Sequence, residues 1–243
     1  MRLEEYLQGT QFELELAKAL HKFIPQHMQA SLDNSEINYR EYGTEREVRL
    51  KNILHYFTSF YTVLNDLELT FEFFKKERKL ILEHYPNLKY QETYYNYHFE
   101  NYFIRIATLN DILGKLGTLV YELNLDLKKS YSYIFKDKAR KEGYEEISQI
   151  TEKLISKLEQ FKQQRHDKLH TGKADIQPLN GVVIWDDLTS ILSSEVDEIL
   201  QEHNDNEIEA EIEKLRTGTI EIINIIKEFL EVATEKLKEL IDS

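Results

Sequence analysis

Six consecutive residues, Arg165-His166-Asp167-Lys168-Leu169-His170, combine side chains that could handle a phosphate group and its protons. Arginine is a planar, permanently charged donor matched to phosphate oxygens. Histidine is the side chain that exchanges protons near neutral pH. The setting makes the arginine unusual. Tyr144, Ile147, Ile150, Leu154, Leu158 and Phe161 recur every three or four residues, the spacing of an amphipathic helix. Arg165 falls at the next position of that stripe and Leu169 at the one after. A guanidinium therefore stands where the pattern asks for a core residue, and a buried charge is costly unless it is paired or put to use.

Spacing limits what these residues can do together. Five residues advance a helix by about 500°, so Arg165 and His170 lie about 140° apart around one helix. They converge if the helix frays near Thr171-Gly172, or if a two-fold axis brings Arg165 of one chain to His170 of another. Each residue also has a purely structural reading. Arg165 could pair with a carboxylate such as Asp111, and His170 could simply sit near a helix C-terminus, where its charged form is favoured. His166 and His170 are four apart and share a helical face, as metal ligands do. A zinc-protease helix, however, needs Glu after its first histidine, and this chain has Asp167. The His166-Asp167 doublet is similar to that of metal-dependent helical phosphohydrolases. Those need another histidine some tens of residues upstream, and the nearest, His98, falls on a different helix. Neither a metal nor another cofactor is expected.

Arg165, His166 and His170 fill the three defined positions of a pattern (Arg, a polar residue, three variable residues, His) that resembles the motif of the HEPN superfamily, the higher eukaryotes and prokaryotes nucleotide-binding proteins. By residue identity the resemblance is the motif alone. By helix pattern it covers roughly Asn52 to Leu240. It implies a helical bundle that usually dimerises, and for many members a metal-independent ribonuclease activity. It also implies a stress, toxin or defence role, with a protein antitoxin or regulator as partner. On that basis Arg165 and His170 are the expected catalytic residues, supported by His166 and Asp111. A base takes the proton of an RNA 2′-hydroxyl, the oxygen attacks the adjacent phosphate, and an acid protonates the leaving 5′-oxygen. His170 would serve as base or acid, and Arg165 would stabilise charge on the phosphate oxygens. His166 would orient the substrate or assist proton transfer, and Asp111 would orient Arg165. DNA, lacking the 2′-hydroxyl, would resist.

Long helices must carry these residues. The 243-residue chain has only 3 prolines and 8 glycines to interrupt them. A short helix is expected over about Gln11 to His27, with Ser31-Leu32-Asp33-Asn34-Ser35 as a loop. Thr44 with Glu47 reads as a capping box that opens a helix running to about His84, where Pro86 stops it. The next helix, about Glu92 to Asn124, has an apolar side that includes Tyr102, Ile106, Leu109, Leu113 and Leu116. Its other side carries Ala107, Gly114 and Thr118, with Asp111 among them. A helical glycine costs about 1 kcal/mol, which points to a packing reason. Phe135 to Gly143 reads as a charged connection, and the motif helix spans about Tyr144 to His170. Residues 171–185 are irregular, punctuated by Gly172, Pro178 and Gly181 and ending in Val182-Val183-Ile184-Trp185. Asp186 or Asp187 could cap a short helix through about Glu202, and a last helix covers about Asn206 to Leu240. The expected fold is all-α, an up-and-down bundle over residues 44–243 with an N-terminal helical extension over residues 1–43.

Composition excludes several classes. Without cysteine there is no disulfide, thiolate catalysis or cysteine-ligated zinc. A net charge of −13, from 31 Lys and Arg against 44 Asp and Glu, argues against a nucleic-acid coat protein. It leaves room for a nuclease with a local basic cleft, whose binding would be weak and salt-sensitive. No apolar run reaches the ~18 residues of a membrane span. Glu4, Glu5, Glu13 and Glu15 stand where a signal peptide would be apolar, so the cytoplasm is the expected compartment. The cluster Tyr90, Tyr94, Tyr95, Tyr97, Phe99, Tyr102 and Phe103 reads as core or interface packing ahead of base stacking. No Gly-rich phosphate loop is present. The expected function is a metal-independent endoribonuclease acting on RNA at a composite homodimer site. The alternative is a non-catalytic helical module that binds a nucleotide, RNA or a protein.

Overall fold

Caps and breakers set the helix ends. The structure, a computed structural model, describes residues 2–84, 88–171 and 194–242, with side chains over 2–74, 94–159, 161, 206 and 208–242. Among the described residues there are seven α-helices and no strands: α1 (Gln11–His21), α2 (Ile24–Asp33), α3 (Glu45–His84), α4 (Leu88–Val120), α5 (Ser132–Lys141), α6 (Glu145–Thr171) and α7 (Ser194–Asp242). The capping box at the head of α3 is formed. The Glu47 amide donates to Thr44 Oγ1 at 3.3 Å, and Glu47 Oε2 accepts from the Thr44 amide at 2.7 Å.

The Thr44 amide bond, followed by the Thr44 hydroxyl and nearby cations, holds the Glu47 carboxyl below the usual carboxylate range against the opposing effect of burial. A carboxyl lowered on folding adds stability above its unfolded value and loses that contribution as pH falls through its folded value. Glu47→Ala is therefore expected to cost about 1 kcal/mol at neutral pH, with a deficit that shrinks in acid. Denaturant titrations of both proteins across this range check it. A deficit independent of pH would assign the loss to packing rather than to the ionised cap.

Four expected boundaries are corrected. The helix expected over Gln11 to His27 is two helices, because Pro25 occupies the first turn of α2 and its ring would clash with a helical carbonyl four residues earlier. The second of them runs through the expected loop as far as Asp33. The connection expected over Phe135 to Gly143 is largely helix α5, whose buried Ser132, Phe135 and Ala139 keep helical spacing. The expected break between Glu202 and Asn206 is absent. His203-Asn204-Asp205 contains neither proline nor glycine, and α7 passes through it. Pro86, the Val182 to Trp185 run and the caps at Asp186 or Asp187 lie outside the described residues.

By packing, the chain forms two units, one of Met1–Asn65, Thr108–Lys157 and Ile222–Ser243, the other of Asp66–Ala107 and Leu158–Glu221. In the first, Leu3, Leu7, Phe12 and Leu16 are buried, with the Phe12 and Phe57 rings 5.6 Å apart. The segment between α2 and α3 is tied down by Lys51, only 4% exposed. Its ammonium donates to the carbonyls of Tyr39, at 2.6 Å, and Tyr42, and lies 3.3 Å from His27 Nδ1. Burial lowers the proton affinity of Lys51, and Glu47 partly restores it.

The packing reason for Gly114 also lies in this unit. A Cβ there would stand 2.6 Å from the Ser132 amide nitrogen, so only glycine lets the chain entering α5 press against α4. One turn on, a Cβ on Gly117 would sit 2.6 Å from the Phe135 ring. In the second unit α3 and α4 run antiparallel. Arg105 Nε lies 3.4 Å from Asp66, and the Tyr94 hydroxyl donates to the Phe73 carbonyl at 2.7 Å.

Candidate functional site

Helix α6 starts with Glu145 and Glu146 in its first turn, where carboxylates suit the exposed amides of a helix N-terminus. Its apolar stripe is buried as the spacing requires: Ile147, Ile150, Leu154, Leu158 and Phe161. Phe161 anchors the motif end within the second unit. Its ring faces Tyr102 at 5.9 Å and fills the space left by Gly218, where a Cβ would stand 2.9 Å from Phe161 Cζ. The Tyr102 hydroxyl donates to the Leu215 carbonyl at 3.2 Å and shares a 2.9 Å bond with Thr219, and its burial raises its pKa well above the ordinary phenol value.

Arg165 comes one turn after Phe161, and the backbone stays helical through Thr171. The helix therefore does not fray between Arg165 and His170, which keep register positions about 140° apart, whereas His166 and His170 share one side. The side chains of these three residues lie outside the described set. Asp111, on α4, is half-buried and belongs to the first unit, whereas residues 165–170 belong to the second.

Of the remaining sequence candidates, the side chain of Tyr90 lies outside the described set. Tyr95, Phe99, Tyr102 and Phe103 are core residues, as the packing reading of the aromatic cluster has it, while Tyr97 is exposed. His98, the upstream histidine considered for a His-Asp metal site, packs among the rings of Phe73, Phe74, Tyr94 and Tyr97 at 4.3–5.7 Å. Burial first, and Arg105 second, lower its proton affinity. Among the described residues no group of three His, Asp or Glu side chains is placed to hold a metal ion. No described helix is long and apolar enough to cross a membrane.

Two features escaped the sequence reading. One is a set of exposed apolar side chains on the second unit, Leu69 and Phe73 of α3 and Tyr97 and Ile104 of α4. The other is the basic character of α5. Lys136 reaches Glu152 at 3.4 Å and Arg140 reaches the same carboxylate at 2.9 Å. The Arg140 hydrogen bond, with Lys136 beside it, holds Glu152 below the usual carboxylate range. The signal was available as a density of Lys and Arg over residues 127–141.

A cleft of about 260 Å³ opens at the C-terminal end of α4, lined by Tyr121, Glu122, Tyr144, Lys138 and Lys236 among others. Both of its cations are already engaged, Lys138 with Glu142 at 2.6 Å and Lys236 with Glu239 at 2.7 Å. A family model described as Cthe2314-like HEPN matches residues 56–243, most of the chain and all of the motif. No curated protein and no solved structure matches it.

Proposed function

We propose, since this chain belongs to the Cthe2314-like HEPN family, that it is a metal-independent endoribonuclease working as a homodimer, in which Arg165 of one protomer meets His170 of its partner. The observation that carries this reading is the unbroken helix through Thr171. Two groups about 140° apart on one helix start from different sides of it, and a two-fold axis can bring each to its counterpart in a second chain. The exposed apolar side chains of Leu69, Phe73, Tyr97 and Ile104, on the unit that holds the motif, are available to such a contact.

In this mechanism His170 removes the 2′-hydroxyl proton and His166, on the same side of its helix, protonates the departing 5′-oxygen. Arg165 of the other protomer stabilises the charge that grows on the phosphate oxygens. The products carry 2′,3′-cyclic phosphates. A second reading, a module of the same family that binds RNA or a nucleotide without cutting it, is favoured by the net charge of −13.

Single-stranded RNA and matching DNA, incubated in excess EDTA with wild type, Arg165→Ala and His170→Ala, separate the two. Cleavage of RNA alone, by wild type alone and with cyclic-phosphate ends, is the expected result. Equal traces from all three proteins would remove the ribonuclease reading and leave the binding module.

A further inference from the structure

Residues 127–141 hold six cations, Lys128, Lys129, Lys136, Lys138, Arg140 and Lys141, against a single carboxylate, Asp137, in a chain whose net charge is −13. Three of the six, Lys136, Lys138 and Arg140, are engaged with neighbouring carboxylates. Lys128, Lys129 and Lys141 are exposed, and their ammonium groups have no partner among the described residues. In the sequence between them, the Tyr131 and Tyr133 rings stack, centres 5.8 Å apart and planes within 11° of parallel, with Tyr133 52% exposed.

This surface is held in shape before any ligand arrives. The Asp126 carboxylate accepts from the Lys128 amide at 2.9 Å, and the Ser130 hydroxyl donates to the Asp126 carbonyl at 2.9 Å. The Ser132 hydroxyl donates to the Asn110 carbonyl, and Gly114 admits the backbone of Ser130 to Ser132 against α4. The backbone that carries these side chains therefore needs little ordering on binding.

We propose that this turn and the adjoining face of α5 form a docking surface for single-stranded RNA. Lys128, Lys129 and Lys141 neutralise phosphates, and the tyrosine stack offers a face to a base. The choice of RNA rests on the ribonuclease reading above. Free cations alone would serve any polyanion, but a base adds a stacking contact of its own, and stacking on aromatic rings holds single strands without regard to sequence. The acidic remainder of the chain repels the same strand, which favours contacts at basic segments such as this one.

The test is equilibrium binding of a labelled oligouridylate to the full chain in EDTA over a range of salt. It compares wild type with a Lys128→Glu, Lys129→Glu, Lys141→Glu triple variant and with Tyr133→Ala. The triple variant should bind at least ~10-fold more weakly, with a log–log salt slope shallower by about two, as expected for three lost phosphate contacts to a single strand. Tyr133→Ala should weaken binding about tenfold with the slope unchanged. Circular dichroism and Tm confirm that both variants fold, and the uncharged Tyr133→Ala stands as an independent arm.

Wild-type affinity and slope in both variants would overturn the docking surface, even if the protein cleaves RNA. Weakened binding by variants of a protein that never cleaves would uphold the surface while the ribonuclease reading fails. If polyglutamate binds as RNA does, loses affinity equally in the triple variant and ignores Tyr133→Ala, the surface serves an acidic protein and the RNA assignment falls.

Discussion

Cleavage should return when Arg165→Ala and His170→Ala chains are mixed, although each variant alone is inactive. Removing a charge-stabilising donor typically costs about 10²–10³ in rate, and removing a general acid or base costs about 10²–10⁴. Neither homodimer retains a complete site. A mixed dimer does, because the arginine kept by one protomer faces the histidine kept by the other, while the second site has lost both. With free exchange of subunits, half the dimers are mixed and each has one working site, so activity should recover to about a quarter of wild type. The expectation comes from α6, which stays helical across all five steps from Arg165 to His170. A mixture as inactive as its components would mean that each chain builds its site alone, and the composite arrangement would be abandoned.

Phe135→Ala should be the most damaging single substitution outside the motif. Phe135 is fully buried, its ring lies against Gly117, and it meets Tyr121 at 6.1 Å and Phe229 at 5.8 Å. Truncation leaves a void that rigid helices cannot close, at a cost of about 3–5 kcal/mol. A helix as short as α5, ten residues, has little stability of its own, so the void also loosens what holds it in place. For a chain of this size the loss should lower Tm by roughly 10 °C. Thermal unfolding followed by circular dichroism measures it. A decrease of only a degree or two would show that α5 is held by Ser132 and by the bond from Ser148 to the Lys136 carbonyl rather than by the ring.

The same residues show why parts of the fold could be read in advance and others could not. The capping box at Thr44 and Glu47 and the stripe from Ile147 to Phe161 are local patterns, and local patterns survive folding with their meaning intact. The cost of Gly114 also predicted a close contact, though not with what. Helix α5 was missed because its buried side consists of Ser132, Phe135 and Ala139, of which only one is strongly apolar. Small residues suffice there because Gly114 lets the backbones approach and Gly117 admits the Phe135 ring, and that complementarity lies between segments distant in sequence. At the site, residue types suggested the chemistry that we propose. The helix through Thr171 keeps Arg165 and His170 about 140° apart in register, which supports the two-fold arrangement that we propose.

Lys51 gives the protein a built-in reporter of its own integrity. An amine-reactive reagent labels lysines that it can reach, and the ammonium of Lys51 is enclosed by the carbonyls of Tyr39 and Tyr42 and by His27. In the native chain it should be among the last lysines modified, while Lys128, Lys129 and Lys141 react at once. Peptide mass spectrometry over a labelling time course would follow it. The moment at which Lys51 acquires label marks the release of the segment between α2 and α3, so one side chain times a local opening that bulk unfolding curves average away.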